Sequence, residues 1–162
     1  MVKKIKSCMK HIELFEFFNL FSKKDKNNDF IIKKIDSSIL EFIKRFFDIS
    51  NDNIKYGESD YKCLVKYDSE KNIVAVNVFQ VFNNFCFIAY IAVDEKYQNL
   101  GISSKMVSYL KNKYKKVRTY VKKDNIKSLN MFKKSGFLEE TDLDLDEKEY
   151  LKKSNKISLS YY

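Results

Sequence analysis

The chain has 162 residues, of which 44% are hydrophobic and 15% aromatic, and its formal net charge is +9. This apolar content excludes a disordered chain, and the length favours one domain with a sizeable core. Charged residues interrupt every apolar stretch before it reaches the ~18 residues that a membrane-spanning helix needs. We therefore expect no membrane span.

Lysine carries almost all of the positive charge, since only Arg45 and Arg118 are arginines. One interpretation is a coding bias towards lysine that leaves a solvated basic surface. The alternatives are affinity for nucleic acid or attraction of an anionic ligand. The sequence contains no recognisable nucleic-acid-binding motif, so we expect no specific nucleic-acid partner.

The cysteines and the histidine limit the possible chemistry. Cys8, Cys63 and Cys86 lack the spacing of metal ligands, and their odd number does not suggest a disulfide framework. The single histidine, His11, argues against a histidine metal site or a Ser-His-Asp triad. We expect no metal site and a reducing, cytoplasmic setting.

Residues 1–28 are predicted to form an N-terminal extension to a single domain at residues 29–162. Four lysines precede the apolar stretch from Ile12 to Phe21, which is the charge layout of a secretory signal. Glu13 and Glu16 interrupt that stretch, however, and no cleavage site follows it. We predict an amphipathic helix, which could pack on its own domain, on a partner or on a membrane surface.

The main domain is predicted to begin with a strand and a helix. Three strands follow in succession, and helices and strands then alternate. This order predicts an α+β fold with a mixed, mainly antiparallel sheet flanked by helices. Residues 48–60 are predicted to be a loop with a short helical turn. The other predicted elements are strands at Phe30–Ile35, Tyr61–Tyr67, Ile73–Phe82, Phe85–Val93, Lys116–Val121 and Lys156–Tyr162, and helices after Asp36, from Gly101 to about Tyr114, and from Asn125 to Lys134.

The turn from Tyr97 to Ser104 joins the third of the successive strands to a helix, and it has the chemistry of a phosphate site. A helix start presents unpaired backbone N–H groups and the positive end of the helix dipole. Gly101 would let a phosphate approach the main chain, and the hydroxyls of Ser103 and Ser104 could add hydrogen bonds. A lone glycine is also ordinary turn chemistry, so the turn alone leaves both interpretations open.

Two motifs, however, resemble those of the GNAT superfamily of acyl-CoA-dependent N-acyltransferases. Gln98-x-x-Gly101-x-Ser103 is similar to the motif Q/R-x-x-G-x-G/A, and the stretch from Asn125 to Phe137 is similar to N-x-x-A-x-x-x-Y-x-x-x-G-F. The resemblance extends from about Phe30 to the C-terminus and is closest in pattern to ribosomal-protein N-terminal acetyltransferases. It implies the GNAT fold, acetyl-CoA as co-substrate and an amine as acceptor.

The resemblance also implies which residues bind the cofactor. The main chain of the third successive strand would pair with the pantetheine arm, and a bulge near the end of that strand would open a slot for it. Asn125 would contact the cofactor or a bridging water, although it is equally an N-cap for the next helix. The implied cofactor-binding residues are Ile91, Ala92, Val93, Gln98, Asn99, Leu100, Gly101, Ile102, Ser103, Ser104, Asn125, Ser128 and Phe132.

Two positions depart from the family pattern. Phe132 stands where the family commonly has a tyrosine thought to protonate the departing thiolate, and Tyr120 stands where ribosomal-protein acetyltransferases have a glutamate base. Tyr120 is therefore the candidate catalytic residue, taking over as the acid that protonates the thiolate, with a half-buried structural aromatic as its other interpretation. Alternatively, the thiolate leaves unassisted or through water, since a free thiol has a pKa of ~8.5.

We expect direct acetyl transfer in a ternary complex, because the sequence shows no well-placed nucleophile. The principal alternative is a CoA-binding protein that has lost catalysis. The acidic run at residues 139–149 either attracts a cationic amine acceptor or is a solvated surface loop.

Overall fold

The computed structural model describes residues 30–47, 60–83 and 85–162. The predictions for residues 1–28 and for nearly all of the loop at residues 48–60 lie outside the described residues. Within them, no helix is long and apolar enough to cross a membrane.

The described residues form one mixed seven-stranded sheet flanked by four helices, so the predicted α+β class is confirmed. The order of the strands is β1-β2-β3-β4-β5-β7-β6. Neighbouring strands are antiparallel except for β4 and β5, which are parallel. The strands are β1 (Phe30–Lys34), β2 (Tyr61–Tyr67), β3 (Ile73–Val81), β4 (Cys86–Val93), β5 (Val117–Lys122), β6 (Leu138–Glu139) and β7 (Lys156–Tyr161), and the helices are α1 (Ser37–Lys44), α2 (Ile102–Lys113), α3 (Ile126–Lys134) and α4 (Leu145–Lys153), with a short 3-10 turn at Glu95–Tyr97.

Apolar residues on both faces of the sheet are covered, which explains the nearly continuous apolar runs of the central strands. On one face, α2 and α3 bury Met106, Leu110 and Phe132 against the sheet. On the other face, α1 buries Ile39 and Ile43.

The ends of the helices follow the sequence signals. The Asp36 carboxylate accepts a hydrogen bond from the Ile39 N–H at 3.0 Å and caps α1, as predicted. Gly136 follows the end of α3 with φ +85°, a left-handed conformation that favours glycine, which confirms the predicted terminator.

The acidic run is not the solvated surface loop that was one of its two interpretations. Residues 145–149 form the first half of α4, and Leu151 is the one residue of this helix that is buried. A helix with so little apolar surface produces almost no periodicity in the sequence, which explains why we did not predict it. Leu151 and the contacts of Glu147 with Arg118 and Tyr120 join it to the sheet.

Candidate active site

The strands β4 and β5 separate partway along their length. Their parallel pairing covers Cys86 to Ile88 on β4 and Val117 to Thr119 on β5, and within the described residues it goes no further. At the last paired position, the Thr119 hydroxyl donates a hydrogen bond to the Ile88 carbonyl at 3.0 Å. The remainder of β4 therefore faces a gap on its β5 side.

A bulge in β4 lies where the two strands part. The register between β3 and β4 shifts between Val78 and Phe79, which leaves Ala89 as the extra residue. A bulge increases the local twist and ends regular pairing, so it accounts for the separation. It lies in the middle of β4, whereas we expected it near the end of the strand. The predicted residues Ile91, Ala92 and Val93 are all on the separated part.

The turn after β4 has the backbone geometry that a phosphate site requires. Gly101 is the N-cap of α2 with φ +73°, and no side chain caps the helix. An added Cβ at Gly101 would meet nothing within 4 Å, so the surface above it is open. The first helical hydrogen bond runs from the Lys105 N–H to the Gly101 carbonyl at 3.0 Å, so the preceding N–H groups are available to an anion.

Individual positions in this turn fit the same interpretation. Asn99 has φ 63°, a left-handed conformation that Asn tolerates, and it bends the main chain into the helix start. Leu100 is 63% exposed, whereas Ile102 is buried against the core and anchors the helix. Ser103 and Ser104 are half-buried. The residues present therefore fit a pyrophosphate group.

Gln98 links this turn to both neighbouring elements. Its amide nitrogen donates to the Val93 carbonyl at 3.2 Å, and its amide oxygen accepts from Lys127 Nζ at 3.0 Å. Lys127 was not among the predicted site residues. The signal that could have found it is its place in the first turn of α3, next to the predicted residue Asn125.

The structure places the three predicted residues of α3 in different environments. Asn125 caps the helix, with its side-chain oxygen accepting from the Ser128 N–H at 3.1 Å. Ser128 is half-buried. Phe132 is only 4% exposed and packs edge-to-face on Phe137, with ring centroids 5.0 Å apart. These contacts confirm the capping interpretation of Asn125, while the cofactor contacts of all three stay predictions.

Tyr120 is the first residue of β5 beyond its pairing with β4. Its ring packs edge-to-face on Phe87, with centroids 4.9 Å apart, and its hydroxyl donates a hydrogen bond to the Glu147 carboxylate of α4. Burial, and after it the hydrogen bond and negative charge of Glu147, raise the pKa of Tyr120 above its ordinary value. The phenol therefore keeps its proton at neutral pH.

Arg118 connects two carboxylates beside Tyr120. Its Nη2 donates to Glu147 Oε1 at 2.7 Å, and its Nε lies 2.6 Å from Glu140 Oε2. Glu140 also accepts from Lys116 Nζ at 3.0 Å. The side chains of Arg118, Glu140 and Glu147 are only 14%, 7% and 15% exposed. We did not predict this cluster, because nothing in the sequence pairs the acidic run with Arg118.

The thiols of the described cysteines are poorly suited to covalent catalysis. Cys63 and Cys86 are both fully buried. Burial raises the pKa of each thiol to about 12, so neither forms a thiolate readily. Among the described residues, no group of three or more His, Cys, Asp or Glu side chains could hold a metal ion.

The acyl-CoA N-acyltransferase fold is defined by a mixed sheet in which two parallel strands separate. A helix that starts at a glycine, without a side-chain cap, lies beside the separated strands. The profile of the acetyltransferase (GNAT) family matches residues 22–137, which is more than half of the chain. The chain therefore belongs to the acetyltransferase (GNAT) family. Members of this family bind acyl-CoA and act on an amine acceptor.

Solved structures share this fold at low sequence identity. A Bacillus subtilis acetyltransferase in complex with CoA has a TM-score of 0.60 and 18% identity, over 80% of this chain and 95% of that chain. A ribosomal-protein alanine N-acetyltransferase from Escherichia coli has a TM-score of 0.57 and 16% identity, over 81% and 90%. A spermidine N-acetyltransferase mutant from Vibrio cholerae has a TM-score of 0.56 and 16% identity, over 83% and 94%. A comparison with curated proteins gave no match.

Proposed function

We propose that this protein is an N-acetyltransferase that moves an acetyl group from acetyl-CoA to a primary amine by direct transfer in a ternary complex. The separation of β4 from β5 next to the open start of α2 carries the proposal. It provides a slot for an extended thioester and an anion site at one end of that slot.

The cofactor-binding roles follow from this geometry. The free edge of β4 at Ile91 to Val93 would pair with the amide groups of the pantetheine arm, as another strand would. The N–H groups at the start of α2 would bind the pyrophosphate oxygens. Lys127 would add a positive charge at the same end.

Direct transfer requires a neutral amine and a leaving thiolate, and Tyr120 is our candidate for moving the protons. It lies at the point where the strands part, which is where the thioester carbonyl would lie. Its raised pKa makes it a poor acid towards a thiolate, because a thiol with a pKa of ~8.5 is the stronger acid. We therefore propose that Tyr120 takes a proton from the amine and that the departing thiolate receives its proton through water.

The acidic residues around the start of α4 favour a cationic amine as the acceptor. Asp142 is exposed just before α4 and Asp146 is exposed in its first turn, close in sequence to Glu147. Their charge would attract a protonated amine towards Tyr120. The identity of that amine is left to an acceptor screen.

Calorimetric titration with acetyl-CoA tests the cofactor. We expect micromolar binding that requires the pyrophosphate, is weakened by Gly101→Glu and is unaffected by Ser108→Glu. Ser108→Glu is the control, because it places the same charge on an exposed position of α2. An absence of binding at low salt would refute the proposal.

Turnover of Tyr120→Phe tests the catalytic assignment. We expect a fall in kcat with unchanged acetyl-CoA affinity, because the substitution removes one hydroxyl and keeps the ring that packs on Phe87. An unchanged kcat would remove Tyr120 from the mechanism. Binding of acetyl-CoA without transfer to any amine would instead favour a CoA-binding protein without catalysis, for which the missing hydroxyl at Phe132 is the specific reason.

A further inference from the structure

Glu147 brings a carboxylate to the point where β4 and β5 part, from an element that is distant in the sequence. Its Oε1 accepts the hydrogen bond of the Tyr120 hydroxyl, and Tyr120 is the first β5 residue beyond the paired segment. The side chain of Glu147 is 15% exposed, so it is largely shielded from water but still reachable.

We propose that Glu147 accepts, through the Tyr120 hydroxyl, the proton that the acceptor amine loses before it attacks the thioester. The proposal rests on the proposed function and adds a base to it. Glu147 acts here as a positioning residue and proton acceptor for Tyr120, which is the group that would contact the amine.

The direction of the hydrogen bond supports this assignment. Because Tyr120 donates to Glu147, the lone pairs of the phenol oxygen are available to accept a proton from an amine on its other side. A phenol turned towards a thiolate would have to break the bond to Glu147 first. The existing contact therefore favours proton movement away from the amine.

Arg118 fixes the position of this carboxylate. Its Nη2 lies 2.7 Å from Glu147 Oε1, so the two side chains form an ion pair. Glu140 and Lys116 balance the remaining charges of the cluster. By contrast, Glu149 on the same helix is 63% exposed and pairs with Lys153 one turn away, so it has no comparable role.

The proton balance of the reaction is complete with these groups. The ammonium form of the acceptor gives one proton to the Tyr120 oxygen while Tyr120 gives its own proton to Glu147. The neutral amine then forms the C–N bond, and the C–S bond breaks to release the thiolate. The nitrogen loses its second proton during this collapse, and that proton passes through water to the sulfur. Glu147 returns its proton to solvent through Tyr120.

The test compares the pH dependence of kcat for wild type, Glu147→Gln, Glu147→Asp and the control Glu149→Gln. The acceptors are spermidine, a peptide with a free N-terminal alanine, and water, measured as acetyl-CoA hydrolysis. We expect Glu147→Gln to lower kcat on the order of 100-fold near pH ~7. The loss should shrink above about pH 8 with the N-terminal alanine and above about pH 10 with spermidine, where each amine is neutral without a base. Glu147→Asp, which keeps the carboxylate, should lose less, and Glu149→Gln should match the wild type.

Two further measurements separate catalysis from folding. Acetyl-CoA affinity should be unchanged in Glu147→Gln, which shows that the site is intact. In protein labelled with 3-fluorotyrosine, the fluorine resonance that Tyr120→Phe removes identifies Tyr120. Its pKa should fall in Glu147→Gln, because the nearby negative charge is gone.

The outcomes distinguish the proposals. A wild-type protein that does not bind acetyl-CoA overturns the proposed function. If wild type is active and Glu147→Gln has the same kcat, or a loss that is equal at every pH, Glu147 is not the proton acceptor while the proposed function stands. If the wild type binds acetyl-CoA but transfers the acetyl group to no amine and not to water, the catalytic part of the proposed function and the role of Glu147 are both overturned.

Discussion

Removing the charge of Glu140 should make the protein less stable at neutral pH but not at acid pH. Burial alone would raise the pKa of this carboxyl, but hydrogen bonds from Ser160, Lys116 and Tyr162 and the charge of Arg118 lower it from 4.5 to about 2. The hydrogen-bond distances are 2.5 Å from Ser160, 3.0 Å from Lys116 and 2.8 Å from Tyr162.

The size of the effect follows from this pKa. The fall from 4.5 to about 2 corresponds to roughly 3 kcal/mol of unfolding free energy, at about 1.36 kcal/mol per unit. Because the folded-state pKa is the lower one, this contribution is complete well above pH 4.5 and is lost as the pH falls towards about 2. About 2 kcal/mol of it should already be lost near pH ~3.

Urea unfolding of wild type, Glu140→Gln and Glu139→Gln over a pH series measures this effect. The control removes the same charge from the neighbouring residue, which is exposed. We expect Glu140→Gln to be less stable than wild type by roughly 3 kcal/mol at neutral pH, with the difference narrowing in acid. A difference that is absent at neutral pH, or that is constant down to pH ~3, would refute the reasoning.

Three further predictions concern the cofactor site and α4. Lys127→Gln should weaken acetyl-CoA binding about threefold and reduce the salt dependence of that binding, as measured by calorimetry at two salt concentrations. The control Lys134→Gln, at the far end of α3, should have neither effect. Phe132→Tyr should lower the unfolding free energy by about 1–3 kcal/mol, because it buries a hydroxyl in an apolar site, and saturating acetyl-CoA should recover part of this loss if the ring borders the cofactor. Asp144→Ala should cost about 1 kcal/mol by removing the N-cap of α4, whereas the exposed Asp146→Ala should be nearly neutral in urea unfolding.

The sequence was sufficient to predict most of the fold because apolar patterning and caps agree there. Tyr61–Tyr67 was predicted at its observed bounds, and the caps at Asp36 and Asn125 formed as expected. The strand-to-helix turn was also predictable, since Gly101 stands at the start of α2 as its place between strand and helix indicated. Phosphate binding at this turn stays a prediction.

The contact of Tyr120 with Glu147 was not predictable, because the two residues come from separate elements. Tyr120 and Glu147 are 27 positions apart in the chain, and their contact depends on the packing of a helix with a single buried residue. Charged residues in a run are normally solvated, so nothing local indicated that Glu140 and Glu147 would face Arg118. Only the tertiary structure brings them together.

This arrangement changes how the missing glutamate of the family pattern should be interpreted. A base can accept a proton from the reacting amine directly or through an intervening hydroxyl group. The residue type at position 120 therefore does not decide whether a base is present. Here the carboxylate of Glu147 comes from α4, and Arg118 pairs with both Glu147 and Glu140. The stability of this part of the protein in acid and the proton transfer that we propose therefore depend on the same guanidinium group. A loss of Glu140 should consequently lower kcat as well as stability, although Glu140 does not contact Tyr120 or Glu147 directly.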